Sequence, residues 1–279
     1  MQPVEPREAA SLLVARDSDP GPELYMVRRH PRSPFMAGAL VFVGGRVDAA
    51  DRSDAILARC RGLEGRDAAA RLGLEGPASA LGYYVAALRE CFEEAGLLVA
   101  DGALPDARSL GGMRDRLNDD RLGFAELLTG ADLTLPLDRL RYLDHWITPE
   151  FEHRRYDTRF FVCSAPEGQE ASFDPRETTH GAWLTVERIL DGNSRGDLHL
   201  APPTLVILEG LLGCRTVDEL LSRAPDRPLS FTMPRPLIAR TEHPTLLLPG
   251  DHRYDAPDST SGPVHCVELV GGTWIRRRG

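Results

Sequence analysis

Two short apolar runs open the chain, Ser11–Arg16 (SLLVAR) and Leu24–Arg29 (LYMVRR). Between them lies Asp17-Ser18-Asp19-Pro20-Gly21-Pro22, a stretch rich in turn formers, so the pair predicts a β-hairpin. Ala39–Val43 (ALVFV) predicts a third strand, closed by Gly44-Gly45. Residues 48–76 are rich in Ala, Arg and Asp and predict surface helix and loop without a strong strand. A helix is expected from Ser79, as N-cap, to Ala95, with Gly96 where a C-terminal glycine belongs. Pro105–Gly130 predicts further charged helix. Strands are expected at Leu140–Ile147, Thr158–Ser164 and Gly181–Leu184, and short helices at Val186–Leu190, Pro203–Leu212 and Thr216–Arg223. Thr245–Leu248 and Val264–Val270 predict strands of a C-terminal extension. This mixture predicts an α/β (α+β) layered fold.

The helix ending at Ala95 carries the chemistry. At about 100° per residue, Tyr84, Val85, Leu88, Cys91, Phe92 and Ala95 share one arc. Arg89, Glu90, Glu93 and Glu94 share the opposite one. Three carboxylates at i, i+3 and i+4 repel one another, and a hard cation such as Mg²⁺ or Mn²⁺ relieves that. Arg89, one turn before Glu93, is placed to hold it. A solvated charged face would look the same on its own, but a strand ending in Gly-Gly precedes this helix and a glycine with an apolar residue ends it.

Composition narrows the chemistry. All 33 basic residues are arginine, against 42 acidic residues, for a formal charge of −9. Without lysine there is no Schiff base, no pyridoxal phosphate site and no GxxxxGK[ST] loop. Any cationic side-chain contact to a phosphate must come from arginine, whose planar fork binds oxyanions in pairs, though a divalent metal can also supply positive charge. Net acidity argues against nucleic acid as a partner. Five cysteines are scattered without CxxC spacing, which suits a reducing, cytoplasmic setting and no structural zinc. No signal-peptide core, membrane-spanning run or SKL-type ending is read in the chain.

Arg89-Glu90-Cys91-Phe92-Glu93-Glu94-Ala95-Gly96-Leu97 fits REUXEEXGU, with U apolar, and so resembles the second half of the Nudix box, GX5EX7REUXEEXGU. Phe42-Val43-Gly44-Gly45-Arg46-Val47-Asp48 is similar to the strand-turn of the first half. Gly45 lies 44 positions before Arg89, 30 more than the pattern's 14, so the box carries an insertion. Asp51 stands at the offset of the first box glutamate. A long insertion here, with similar flanks at Phe35–Phe42, Trp146–Pro149 and Arg154–Phe161, resembles a Nudix subgroup that includes a peroxisomal coenzyme A diphosphatase.

The resemblance implies a Nudix-type α/β/α sandwich with a mixed sheet over residues 8–213. It also implies a helical insertion at about 49–78, expected beside the substrate mouth, and an extension of helical and β structure over 214–279. It implies hydrolysis of a diphosphate in a nucleoside-diphosphate-linked small molecule, with coenzyme A or acyl-coenzyme A leading. ADP-ribose, NADH and dinucleoside polyphosphates are rivals, and a non-catalytic nucleotide sensor is the alternative from another class. Glu90, Glu93 and Glu94 and the Gly44 carbonyl are the candidate ligands for Mg²⁺ or Mn²⁺. Arg89 is the orienting residue. Glu177, six residues before Trp183, is the candidate for extra ligand or general base, with Glu150 and Glu152 competing. Arg28, Arg29, Arg154, Arg155 and Gly45 are the candidate substrate contacts. A coenzyme A motif matches in part. Arg29, Gly38, Phe42, Gly44 and Gly45 fall in register, while Pro34 takes the slot of its second arginine. No membrane partner is expected, and a homodimer is left open.

Overall fold

A computed structural model describes residues 4–33, 36–225, 227–237, 242–256, 259 and 261–279. Pro34 and Phe35, used in the motif comparison, lie outside the described residues. The first half runs β1 (Arg7–Arg16), β2 (Glu23–Arg29), β3 (Leu40–Val41), β4 (Val43–Arg46), a short 3-10 turn (Ala49–Arg52), α1 (Asp54–Leu57), β5 (Cys60–Arg61), α2 (Gly65–Leu72) and α3 (Pro77–Ala95). It continues with α4 (Ala107–Asn118), α5 (Phe124–Gly130), β6 (Leu135–Pro136), β7 (Arg141–Ile147), β8 (Tyr156–Ser164) and β9 (Thr178–Thr185). The chain ends with α6 (Val186–Ser194), α7 (Pro202–Leu211), α8 (Val217–Ser222), β10 (Arg235–Pro236), β11 (Thr245–Leu247), β12 (His265–Val270) and β13 (Thr273–Arg278).

The main sheet is mixed and seven-stranded. β1 is its axis, parallel to β8 on one edge. Its other edge is shared: β4 pairs with Ala9–Leu12 and β2 pairs with Ala15 and Arg16, both antiparallel. The β3–β4 segment is thus wedged between β1 and β2. The predicted single strand at 39–43 is broken at Phe42, and Gly44-Gly45 lies inside β4 instead of closing a strand.

Side chains of β1 alternate between two cores, as the two-residue strand period requires. Ala10, Leu12 and Val14 join α3 and the box insertion on one face. Leu13 and Ala15 join α6 and α7 on the other. The strand is buried on both sides, which is why its run reads as continuously apolar. The result is an α/β/α sandwich. The C-terminal antiparallel sheet, in the order β10-β11-β12-β13, is not a separate body: Val217, Leu220, Leu248 and Val267 bury in the same core as α7.

α3 begins at Pro77 after Gly76, two residues before the predicted N-cap. Proline costs nothing at a first-turn position whose N–H has no helical partner, and its φ is already helical. Its end is as predicted: Gly96 takes φ +69° and its N–H donates to the Phe92 carbonyl. β13 was not expected, because three successive arginines mask its alternation. Among the described residues no helix is long and apolar enough to cross a membrane.

Candidate active site

The apolar arc of α3 is buried as predicted, but the opposite arc is not a solvated face. Arg89 is 8% exposed and Glu94 5%. β4 and the 3-10 turn that follows it cover this side. Two glycines permit the approach. Gly44 has φ +154°, and a Cβ there would lie 2.4 Å from the Ala10 carbonyl oxygen. A Cβ on Gly45 would lie 2.4 Å from Glu90 Oε1. At Gly44 only glycine lets the strand pair so closely with β1, whereas a side chain at Gly45 would push the Glu90 carboxylate aside. The Gly44 N–H then donates to Glu94 Oε2 at 2.9 Å.

Arg89 ties the two halves of the box together. Its Nε donates to Asp51 Oδ1 at 2.8 Å and its Nη2 to Asp51 Oδ2 at 2.9 Å, a bidentate pair buried on both sides. Nη1 reaches Glu90 Oε1 and Glu93 Oε2, each at 2.9 Å, and Nη2 also donates to the Arg46 carbonyl. Burial opposes the guanidinium's charge, but Asp51, Glu90 and Glu93 outweigh it and hold the group protonated well beyond its ordinary range. Arg89 therefore has no donor to spare for substrate, and it positions two glutamates. Asp51 was noted in sequence only as a shorter residue at the glutamate's offset. Its own carboxylate also accepts from the Asp48 N–H, closing the turn. The direct Asp51–Arg89 contact makes residues 52–76 a loop-out that leaves the box and returns to it.

The three helix carboxylates are crowded. Burial raises the Glu90 pKa, with Glu93 and Glu177 adding to the effect and Arg89 opposing it. Glu94 is raised well above the carboxylate range by burial and then by Glu90, against the Gly44 N–H and Arg29. Glu93 is raised by burial against Arg89. More buried negative charge is gathered here than Arg89 offsets, as a divalent-cation site requires. Among the described residues no three His, Cys, Asp or Glu side chains are arranged to hold a metal ion by themselves. The set fits an open site in which carboxylates and water share the coordination, as Mg²⁺ and Mn²⁺ accept.

Glu177 is brought in by a loop fastened to the end of α3. Asp174 N–H donates to the Glu94 carbonyl and Ser172 N–H to that of Ala95, satisfying carbonyls a helix end leaves open. The buried Asp174 carboxylate accepts from Asn118 Nδ2 and from the Arg176 side chain and N–H. Arg114 and Asn118 of α4 donate to the Glu93 carbonyl.

One cleft of about 840 Å³ is lined by Arg29, Gly44, Gly45, Arg89, Glu90, Glu93, Glu94 and Glu177 together. Arg29 also donates to Ser33 Oγ. Glu152 lines the cleft, whereas Glu150 does not. Three proposed phosphate contacts are placed elsewhere. Arg155 is buried, with its guanidinium donating to the Thr148 and Val4 carbonyls and to Met233 Sδ. Arg28 donates to the Asp197 carbonyl, beside α6. Arg154 is exposed on the β7–β8 loop, outside the cleft lining. The expected place of the insertion is also corrected: no described residue between Asp48 and Arg89 lines the cleft. Its apolar positions Ile56, Ala68, Ala69 and Leu72 face α3's buried arc instead.

The family model of the NUDT19 Nudix domain matches residues 7–211. The chain belongs to the Nudix hydrolase family. Among its curated Nudix relatives, the acyl-coenzyme A diphosphatase NUDT19 of Gallus gallus is 30% identical over 91% of this chain and 81% of its own length. The protein of the same name from Homo sapiens is 29% identical over 84% of this chain and 72% of its own. A crystal structure of a NUDIX hydrolase from Alicyclobacillus acidocaldarius superposes with a TM-score of 0.66 at 26% identity, covering 78% of this chain and 96% of that one. The Nudix match ends at residue 211, so the C-terminal sheet lies beyond it.

Proposed function

We propose that this Nudix hydrolase cleaves the diphosphate of coenzyme A or an acyl-coenzyme A, using Mg²⁺ or Mn²⁺. The observation that carries the reading is the Arg89–Asp51 clasp, which presents Glu90, Glu93 and Glu94 as one cluster to a cleft that also holds Glu177 and Arg29. The names of the curated relatives favour an acyl-coenzyme A as the substrate.

Glu90 and Glu94, with Glu93 and the Gly44 carbonyl, would hold the cation. Bound there, it would supply neutralising charge for the phosphate oxygens. Glu177 takes the proton of the attacking water, a role its place in the cleft beside Glu90 and Glu94 suits. Arg29 holds a nonbridging phosphate oxygen, and Arg89 acts only through the glutamates. Water oxygen bonds to one phosphorus, the bridging P–O bond breaks, and adenosine 3′,5′-bisphosphate leaves beside the phosphopantetheine fragment. Five free cysteines, none disulfide-bonded, support a reducing compartment.

A substrate panel tests the reading: coenzyme A, acyl-coenzyme A, ADP-ribose, NADH and dinucleoside polyphosphates, each with Mg²⁺ and with Mn²⁺. Turnover fastest on the coenzyme A group is expected. Hydrolysis of no member with either metal would favour the sensor alternative.

A further inference from the structure

The cleft has two chemically unlike ends. Its arginines, Arg29, Arg46, Arg89 and Arg176, come from β2, β4, α3 and the loop before β9, the last two of which also carry Glu90, Glu93, Glu94 and Glu177. The other end is built by β7, the loop after it, β8, the start of α7 and the C-terminal sheet. Trp146, Phe151, Phe160, Pro202, Leu246 and Trp274 are among its walls. No described Arg or His lines this end, and its one charged side chain, Glu152, is exposed.

Phe151 stands on the β7–β8 loop with 51% of its surface exposed, an aromatic ring left open at the cleft. Leu246 and Trp274 pack on the core beneath but remain only partly covered. Thr148, Tyr156, Thr158 and Thr204 also line this end, but without cations it gives the phosphates of a nucleotide no charged partner. For a hydrocarbon chain it offers burial of every methylene.

We infer that this end holds the acyl chain of a thioester substrate, and that the C-terminal sheet thereby sets chain-length preference. The inference rests on the coenzyme A reading above. With the diphosphate at the carboxylates, the nucleotide half with its 3′-phosphate lies toward the arginines. The pantetheine arm runs the other way along the same cleft and delivers the acyl group to Leu246 and Trp274. Residues lying beyond the matched catalytic domain then act as specificity determinants.

The test uses the full chain with Mn²⁺ and a series from free coenzyme A through acetyl-, octanoyl- and palmitoyl-coenzyme A. Two variants act in opposite senses: Leu246→Trp fills the apolar end and Trp274→Ala opens it. The readout is the ratio of kcat/KM for palmitoyl-coenzyme A to that for free coenzyme A within each protein, which cancels loss of folded enzyme. Each buried methylene is worth up to about fourfold in that ratio. Leu246→Trp should lower it by at least tenfold, and Trp274→Ala should move the preferred chain length. An unchanged chain-length profile in both variants overturns the inference while leaving diphosphate hydrolysis intact. A non-hydrolysable long-chain coenzyme A thioether, titrated calorimetrically, separates the two readings. Chain-length-dependent binding with no turnover of any thioester retains the apolar site but sinks the proposed reaction. Binding that ignores chain length sinks the site.

Discussion

Two additions to the Nudix fold differ sharply in what they do. The box insertion interrupts the catalytic motif, yet none of its described residues lines the cleft. The C-terminal extension begins more than a hundred residues after the motif, yet Pro234, Leu246 and Trp274 form part of the cleft wall. The reason is the face of the sheet each meets. The insertion leaves the box after Asp51 and packs Ile56, Ala68, Ala69 and Leu72 on the core shared with α3. The extension packs on the opposite core, where the cleft runs out between β7, β8 and α7. Proximity in sequence to a catalytic motif is therefore a poor guide to a place in the site.

That contrast can be broken at the clasp where the insertion departs. Asp51→Ala leaves Arg89 charged and buried without its bidentate partner. Leaving a buried charge wholly unpaired costs about 3–5 kcal/mol; Arg89 keeps Glu90 and Glu93, so chemical denaturation should show a loss below that figure. The residual folded protein should lose kcat more than it changes KM, because the damage falls on the orientation of Glu90 and Glu93. Full turnover in Asp51→Ala would remove Arg89 from the account.

A second effect, smaller on turnover, separates packing from catalysis within the insertion. Leu72 is 3% exposed, and Leu72→Ala should destabilise by about 2–5 kcal/mol with kcat/KM unchanged at a temperature where the protein is folded. A change in substrate preference would return the insertion to the cleft.

The third prediction concerns the carboxylates themselves. Burial raises the pKa values of Glu90 and Glu94, with Glu93 and Glu177 adding to it at Glu90, and Glu90 and Glu177 at Glu94. Their folded forms thus hold protons that the unfolded chain releases above the ordinary carboxylate range of about 4.3. Metal-free stability should fall as pH rises from that range through the raised folded values, since the folded state then binds more protons. Mg²⁺ or Mn²⁺ should restore it, by about 2.7 kcal/mol at a hundred times Kd. Thermal melts across pH, with and without metal, measure both. A metal-free stability that rises with pH over this interval would contradict the crowding of the cluster.

Much of this was legible in the residues because it is written in local patterns. The β1–β2 hairpin shows as apolar runs around a Pro/Gly turn, and α3 shows as two opposed arcs with a glycine stop. The box glutamates followed from the same spacing. What escaped depends on contacts distant in sequence. Asp51 joins Arg89 across 38 positions, and nothing local marks it as the partner. Arg155 looked like a phosphate ligand, but its guanidinium joins Val4 to Met233. Trp274 sits in a strand hidden by the arginines that follow it. Arginines in particular resist reading from sequence, because the same fork clamps a phosphate or caps a carbonyl.

The claim that the α3 carboxylates do the chemistry is tested most directly by Glu94→Gln. The measurement is release of adenosine 3′,5′-bisphosphate from coenzyme A with Mn²⁺, alongside a thermal melt to confirm folding. The amide keeps the side chain's shape and removes its charge and its metal affinity. Turnover should fall to background in a protein that still melts cooperatively and no longer gains stability from Mn²⁺. Wild-type turnover in that variant would contradict the assignment of the cluster.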